Sequence, residues 1–294
     1  DGADARRSVR RRPERERVYV QARRGERVLV TCYNDPLGET IRERLPDSGH
    51  VRVGPFLPLA RSLVGMPPID DPDDGATTSD LQAFWDFTVV GHLQRNWHRI
   101  AEQFDTIIID EAQDLSPAWI AQLMQLLDPD GPRRVLMVAD ELQVVYDRGF
   151  SLPAADDGWT RCELVSNCRN TFEIAQMVRR HLRGAPPPVG GPEALSVRWL
   201  HAETEDAAIE HIDAEVERIV DHDGIDPERV LFATVSSGAR DRIRDRHGMV
   251  PFEQRNDHAL VCENVHRVKG LEYDYVVLVA LSCCTSRAPE RCRD

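Results

Sequence analysis

Three carboxylates follow a short apolar segment in the middle of the chain. The string IIID ends on Asp110, Glu111 comes next, and Asp114 lies shortly after them. Adjacent carboxylates at the end of a buried strand can hold Mg²⁺, and a neighbouring glutamate can orient or deprotonate an attacking water. An acidic pair at this place can equally be the start of a helix, where negative charge interacts favourably with the helix dipole. The dipeptide alone favours neither interpretation.

The segments around these carboxylates predict the elements that position them. Ser116 and Pro117 are a typical helix N-cap and first-turn pair. Continuous apolar strands separated by helices are typical of parallel sheets covered on both faces, and functional groups collect at the carboxyl ends of such strands. The sequence predicts strands at 27–33, 106–110, 133–140, 162–165, 229–234, 259–265 and 274–281. It predicts helices at 36–45, 116–127, 171–182 and 209–219, and a further helical region from about 81 to 103.

Composition narrows the class of protein. The chain has 294 residues, of which 41% are hydrophobic and 30% charged, so it can bury a core in one large or two ordinary domains. A net charge of −13 argues against a protein that coats nucleic acid non-specifically, although a local basic groove stays compatible with it. Seven cysteines without a C-x-x-C pair support neither a disulfide framework nor a zinc site. With no apolar run of membrane-spanning length and no secretory signal, we expect a cytoplasmic protein that binds no membrane.

The string IIIDEAQDLSPAWIAQLMQLL (107–127) resembles motif II of superfamily 1 DNA helicases of the UvrD/Rep group, whose signature is D-E-x-Q-D. Four other segments resemble further motifs of that family in the expected order. They are RVLVTCYNDPL (27–37) for motif Ia, VADELQVVYDRGF (138–150) for motif III, LVSNCRN (164–170) for motif IV and ENVHRVKGLEYDYVVLV (263–279) for motif V. Each segment alone is a weak signal, whereas five in order are hard to obtain by chance.

The resemblance implies an α/β fold of the P-loop NTPase type, with two RecA-like domains, parallel sheets and no large accessory insertions. ATP would bind between the two domains. Residues 1–27 are an arginine-dense lead-in that we expect to be solvated or poorly ordered, 28–155 would form a partial first domain, and 156–294 a partial second domain.

The family's nucleotide chemistry implies roles for named residues, with ATP and Mg²⁺ as cofactors. Asp110 and Glu111 would hold Mg²⁺, and Glu111 would also polarise the attacking water. Gln143 would sense the γ-phosphate, and Arg169 would stabilise the transition state of phosphoryl transfer. The remaining implied nucleotide-binding residues are Gly270, Glu272 and Arg287.

The resemblance also implies contacts with single-stranded DNA, or with DNA that carries single-stranded tails. Aromatic side chains can stack on bases, and Tyr33, Tyr146 and Phe150 are the candidates, with ordinary packing as the competing interpretation of each. Repair or recombination proteins are implied as further partners. The implied DNA-binding residues are Thr31, Tyr33, Asn34, Tyr146, His266 and Lys269.

The sequence departs from the family at two places. A phosphate-binding loop needs G-x-x-x-x-G-K-[ST], yet Lys269 is the only lysine in the chain, and arginine is a poor substitute for the compact ammonium group. The segment CCTSRAPERCRD (283–294) holds only an echo of motif VI, in Arg287. A truncated or frame-disturbed gene product and a diverged regulatory relative would both explain these departures. We therefore expect little ATP hydrolysis by this chain in isolation.

Three functions remain open on these residues. The first is an ATP-dependent DNA helicase or translocase of the UvrD-like type, with a role in DNA repair. The second is a non-catalytic relative that binds single-stranded DNA or a repair partner. The third is a metal-dependent nuclease that uses Asp110, Glu111 and Asp114, which is disfavoured because no further acidic cluster accompanies them.

Overall fold

The computed structural model describes residues 24–45, 48–65, 84–144, 148–154, 157–163, 167, 169–182 and 197–280. The chain divides into two units, Asp1–Val197 and Arg198–Asp294, and the described residues of each unit form one parallel sheet. The predicted α/β class with two parallel sheets is thereby confirmed. The domain boundary predicted between 155 and 156 stays a prediction.

The first sheet is parallel throughout and has the strand order β2-β1-β3-β4. Within it, Thr31 lies opposite Ile109 and Ile109 lies opposite Met137, so the carboxyl ends of three strands meet at one edge. The strands are β1 (Val28–Cys32), β2 (Val51–Pro55), β3 (Thr106–Ile109) and β4 (Arg134–Met137).

Helices flank this sheet, and one of its faces packs into a single apolar core around Leu29, Phe56, Ile107 and Trp119. In the described part of this unit the helices are α1 (Asp35–Arg44), α2 (Phe56–Leu63), α3 (Val90–Asn96), α4 (Pro117–Met124) and α5 (Phe172–His181). Single π or 3₁₀ turns lie at Phe84–Val89, Trp97–Arg99, Ala112–Asp114 and Glu141–Gln143.

The second sheet has the order β6-β5-β7 and is also parallel. Its core on one face includes Ile212, Ile219, Phe232 and Val279. The strands are β5 (Val230–Thr234), β6 (Val261–Asn264) and β7 (Tyr275–Val279), the helices are α6 (Glu205–Val216) and α7 (Ser237–His247), and short turns lie at Glu217–His222, Pro227–Arg229 and Phe252–Gln254.

The elements around the carboxylates form as predicted. Ser116 caps α4, where its hydroxyl accepts the Trp119 amide, and Pro117 occupies the first turn. Asn34 caps α1 in the same way through the Leu37 amide at 2.8 Å. Both caps satisfy a backbone donor that a helix leaves without an internal partner.

Two strands are less covered than the sequence predicts. The strand at 133–140 was expected to be buried, but β4 is an edge strand in which Arg134 is exposed and the other residues are half-buried. In β7, also an edge strand, Val276 is 54% and Leu278 is 64% exposed. The apolar pattern therefore predicts the strands but not their places at the sheet edges.

Three elements were not predicted, namely β2, α2 and α7. The strand predicted at 162–165 is not formed at Cys162 and Glu163, and its other residues lie outside the described part of the chain. Among the described residues, none of the helices has the length and apolar character needed to cross a membrane.

Candidate functional site

The predicted acidic pair lies at the carboxyl edge of the first sheet, directly after β3. The side chain of Asp110 is almost fully buried, at 2% exposure. Its amide donates to the Thr31 carbonyl at 2.8 Å, which ties the residue to β1, and its Oδ1 accepts the Glu111 amide at 3.1 Å. Backbone pairing with the neighbouring strand therefore fixes where this carboxylate sits.

The backbone turns sharply at Glu111, which adopts a left-handed conformation with φ 53° and ψ 46°. A non-glycine residue in this region costs about 1–2 kcal/mol, so the surrounding structure must hold it there. The Ala112 amide donates to the Val138 carbonyl at 2.9 Å, and a 3₁₀ turn follows at Ala112–Asp114. Backbone strain of this kind is often found where a side chain must be aimed at a reaction centre.

Gln113 links the acidic pair to the next strand, and it is not among the site residues predicted from the sequence. Its side chain is fully buried, its Nε2 donates to Glu111 Oε2 at 2.7 Å, and its Oε1 accepts the Asp140 amide at 3.2 Å. Asp140 follows β4 and accepts Gln143 Nε2 at 2.6 Å. One hydrogen-bonded chain therefore runs from Glu111 to Gln143. The D-E-x-Q-D pattern contains Gln113 and was the signal that could have identified this link.

The acidic edge offers few metal ligands. In the part of the chain that the structure describes, no group of three or more His, Cys, Asp or Glu side chains is arranged to hold a metal ion. Mg²⁺ commonly uses one or two protein carboxylates and takes its other ligands from water and substrate phosphates. Asp110 and Glu111 fit that smaller requirement, and Asp114 is buried nearby.

Cys32 is the buried last residue of β1. Burial raises the pKa of its thiol well above the usual range, and the negative charges of Asp110, Asp35 and Glu111 raise it further. The thiol therefore stays protonated at neutral pH. A neutral thiol is neither a nucleophile nor a metal ligand, so Cys32 is a core residue.

The three predicted DNA contacts at the end of β1 and just after it differ in their surroundings. Thr31 is 1% exposed, and its hydroxyl has no hydrogen-bond partner among the described residues. Asn34 uses its side chain to cap α1. Tyr33 is half-buried and lies close to Trp119, with ring centroids 6.5 Å apart. Of the three, Tyr33 has the surroundings best suited to a contact with a large ligand.

The remaining candidates of the first unit are spread along the chain. Gln143 is exposed on its short turn, and Arg169 is exposed in a turn where Asn167 Oδ1 accepts its amide at 3.3 Å. Phe150 packs against the first core, as the competing interpretation predicted. Tyr146 lies outside the described residues, as does Arg287 in the second unit.

The second unit places its predicted residues on a turn after β6. His266 is exposed, and Lys269, Gly270 and Glu272 are half-buried. Gly270 has φ 80°, a conformation that favours glycine. The Val265 amide donates to the Thr234 carbonyl at 2.9 Å, which ties the turn to β5.

The buried side chain of Glu263 stabilises this turn. It is fully buried and forms ion pairs with Arg244 at 2.7 Å and with Arg267 at 3.3 Å, and Arg267 also contacts Glu253. The Glu263 Oε1 atom further accepts the Phe252 amide at 3.3 Å. A buried carboxylate needs such partners to stay charged, and here they hold the turn in place.

A cavity of about 570 Å³ lies along β2, away from the acidic edge. Its lining includes Arg42, Ser48, Val53 and Leu59, and none of the predicted site residues belongs to it. The cavity therefore gives no support to the predicted nucleotide site.

Comparison with known proteins adds no assignment. A scan against protein-family models and a search of curated proteins each gave no match to the chain.

Proposed function

We propose that the chain is the motor core of an ATP-dependent DNA helicase or translocase of the UvrD-like type, with two RecA-like domains. The observation that carries the proposal is the placement of Asp110 and Glu111 at the carboxyl end of an inner parallel strand. The buried amide of Gln113 connects this pair to Asp140 and Gln143 at the end of the next strand. Such a link connects the residues that would hold Mg²⁺ with the residue that would sense the γ-phosphate.

The residues of this edge divide the chemistry between them. Asp110 and Glu111 would hold Mg²⁺, which when bound neutralises charge on the phosphates. Glu111 would accept a proton from the attacking water, and its contact with Gln113 orients the carboxylate. Gln143 would report the state of the γ-phosphate to Asp140, with which it already shares a hydrogen bond. Single-stranded DNA would lie against the carboxyl edges of the sheets, with Tyr33 as a stacking residue.

Nucleotide binding tests the proposal directly. We expect a fluorescent ATP analogue to bind with a dependence on Mg²⁺ that disappears in Asp110→Asn. Asp130→Asn is the matched control, because it makes the same change at an exposed carboxylate and leaves Asp110 and Glu111 in place. Equal affinity of the unmodified chain for the ATP analogue with and without Mg²⁺ would contradict the proposal.

Hydrolysis is a separate question. We expect little phosphate release from this chain alone, because no lysine is present in a phosphate-binding loop, and such a charge clamp is worth several kcal/mol in the transition state. DNA-stimulated phosphate release that disappears in Glu111→Gln would show this expectation to be wrong.

A non-catalytic DNA-binding relative is the second candidate. It is favoured by one observation: the only lysine is Lys269, on the turn after β6, so no lysine in the first unit can neutralise a bound triphosphate. Such a protein would bind single-stranded DNA with equal affinity in the presence and absence of nucleotide. Titration of a labelled oligonucleotide with and without Mg²⁺-ATP separates the two candidates.

A further inference from the structure

Arg148 makes contacts that none of the predicted roles uses. It follows β4 in the chain, and its guanidinium reaches two other elements of the first unit. Its Nη1 donates to the Asp114 carbonyl at 2.8 Å, and its Nη2 donates to the Tyr33 hydroxyl at 3.1 Å. The same group lies over two rings, with its carbon 4.6 Å from the Tyr33 centroid and 5.1 Å from the Trp119 centroid.

The two aromatic rings belong to a short stack that is buried at its base. Trp119 is 2% exposed and stacks on Phe56 with centroids 4.8 Å apart. Tyr33 lies almost parallel to Trp119, at an interplanar angle of 14°, and is half-buried. Arg148 therefore holds the outermost ring of a stack whose inner rings are fixed by the core.

The Asp114 carbonyl connects Arg148 to the strained acidic turn. Asp114 closes the 3₁₀ turn in which its amide donates to the Glu111 carbonyl at 3.1 Å, and the Leu115 amide donates to the Ala112 carbonyl at 3.1 Å. A cationic donor on the last carbonyl of a helical turn stabilises that turn. Through Asp114, the position of Arg148 is coupled to that of Glu111.

We propose that Arg148 is a positioning residue that fixes the Tyr33 ring and the Glu111 turn relative to each other. The inference rests on the proposed function, because it makes Tyr33 the stacking platform for single-stranded nucleic acid. Movement of the Tyr33 ring when DNA binds would then be transmitted through Arg148 to the Asp114 carbonyl. Movement of the turn at Glu111–Asp114 would be transmitted to the Tyr33 ring by the same contacts. The link needs a planar group that donates in two directions while it stacks, which arginine provides and lysine does not.

The experiment combines hydrogen exchange with DNA binding on the full chain. In Arg148→Lys, which keeps the charge, we expect amides of the peptide 110–116 to exchange about tenfold faster, because the turn loses a charge-assisted hydrogen bond. We expect the Kd for a fluorescein-labelled oligo-dT to rise about tenfold, because the stacking ring is no longer held in place. Tyr33→Phe keeps the ring but loses the hydroxyl acceptor, so its effect on both measurements should be smaller.

A double-mutant comparison shows whether Arg148 acts through Tyr33. In a Tyr33→Leu background, Arg148→Lys should cause no further loss of oligo-dT affinity, because the ring that it positions is already gone. Equal losses with and without the Tyr33 ring would overturn the proposal, since Arg148 would then act on DNA directly or through general stability. Arg52→Lys, at an exposed arginine paired with Glu102, is the matched control and should leave both measurements unchanged.

Different results would contradict the proposed function and the role of Arg148. A wild-type chain that binds no oligo-dT would overturn the proposed function and the DNA part of this inference. Hydrogen exchange alone tests whether Arg148 stabilises the turn at Glu111–Asp114. An unchanged exchange rate of the peptide 110–116 in Arg148→Lys would overturn this part of the proposal. Circular dichroism spectra that match wild type would show that the variant is folded.

Discussion

The two sheets hold the residues at their carboxyl edges by different chemistry. In the first sheet, Glu111 is held by the neutral amide of Gln113, which passes the contact on to the next strand. In the second sheet, the turn after β6 rests on the buried charge of Glu263 and its arginine partners. One edge therefore depends on a neutral hydrogen-bonded amide, whose loss leaves polar groups unpaired, and the other on a buried ion pair, whose loss leaves a buried charge unpaired.

The largest effect should come from breaking the ion pair of the second sheet. Glu263→Gln leaves Arg244 close to a buried neutral group, and we expect the free energy of unfolding to fall by about 3–5 kcal/mol. Urea unfolding followed by circular dichroism measures the change. The double variant Arg244→Met/Glu263→Met removes both charges and should lose less than Glu263→Met alone. A larger loss in the double variant would show that the charges do not depend on each other.

A smaller effect is expected from removing the amide link of the first sheet. Gln113→Leu leaves the Asp140 amide and the Glu111 carboxylate without their buried partner, which should cost about 1–3 kcal/mol in the free energy of unfolding. Gln122→Leu is the matched control: Gln122 is also buried, but its Oε1 has no partner among the described residues, so its loss should be close to neutral. Thermal unfolding of the two variants side by side tests the difference, and equal losses would contradict it.

The smallest effect is expected at the amino end of the first sheet, where Asp105 binds Arg27. The backbone hydrogen bond from Arg27 lowers the pKa of Asp105, and the hydrogen bond from the Arg27 side chain lowers it further. A lowered pKa in the folded state gives stability that is present above the unfolded pKa of about 3.9 and is lost as the pH falls below it. Asp105→Asn should therefore lose less stability than wild type between pH 5 and pH 2, because the variant has no carboxyl at this position to protonate.

The effect of Asp105→Asn at pH 7 should stay below about 1 kcal/mol, because Arg27 is well exposed to solvent. Unfolding curves at several pH values give both quantities. Parallel pH profiles for wild type and Asp105→Asn would show that this pair does not contribute to acid unfolding.

Strong local signals explain which elements the sequence predicted. The uninterrupted apolar residues of β1 and β3, and the Ser116-Pro117 start of α4, each specify their element without help from distant residues. The segment that forms β2 and α2 was missed because Gly54, Pro55 and Pro58 resemble a loop when read alone. Here Pro55 ends the strand and Pro58 lies in the first turn of the helix, where its missing amide is tolerated.

Helix α7 was missed for a different reason. Its segment is mostly polar, and only Ala239 and Ile243 are buried. The helix is nevertheless well defined at both ends, by the Ser236 hydroxyl that accepts the Ala239 amide and by Gly248 in the left-handed conformation. A pattern search based on apolar periodicity underrates a helix that buries so little.

The sequence by itself determined the α/β class, the parallel strands and the place of Asp110 and Glu111 after a strand, because these depend on neighbouring residues and on the period of apolar side chains. Only the tertiary structure decided that Gln113 joins Glu111 to Asp140, that Glu263 is buried between arginines, and that Arg148 binds both Tyr33 and Asp114. These contacts join residues on different strands and turns. Their distances depend on strand order and side-chain packing, which local patterns do not encode.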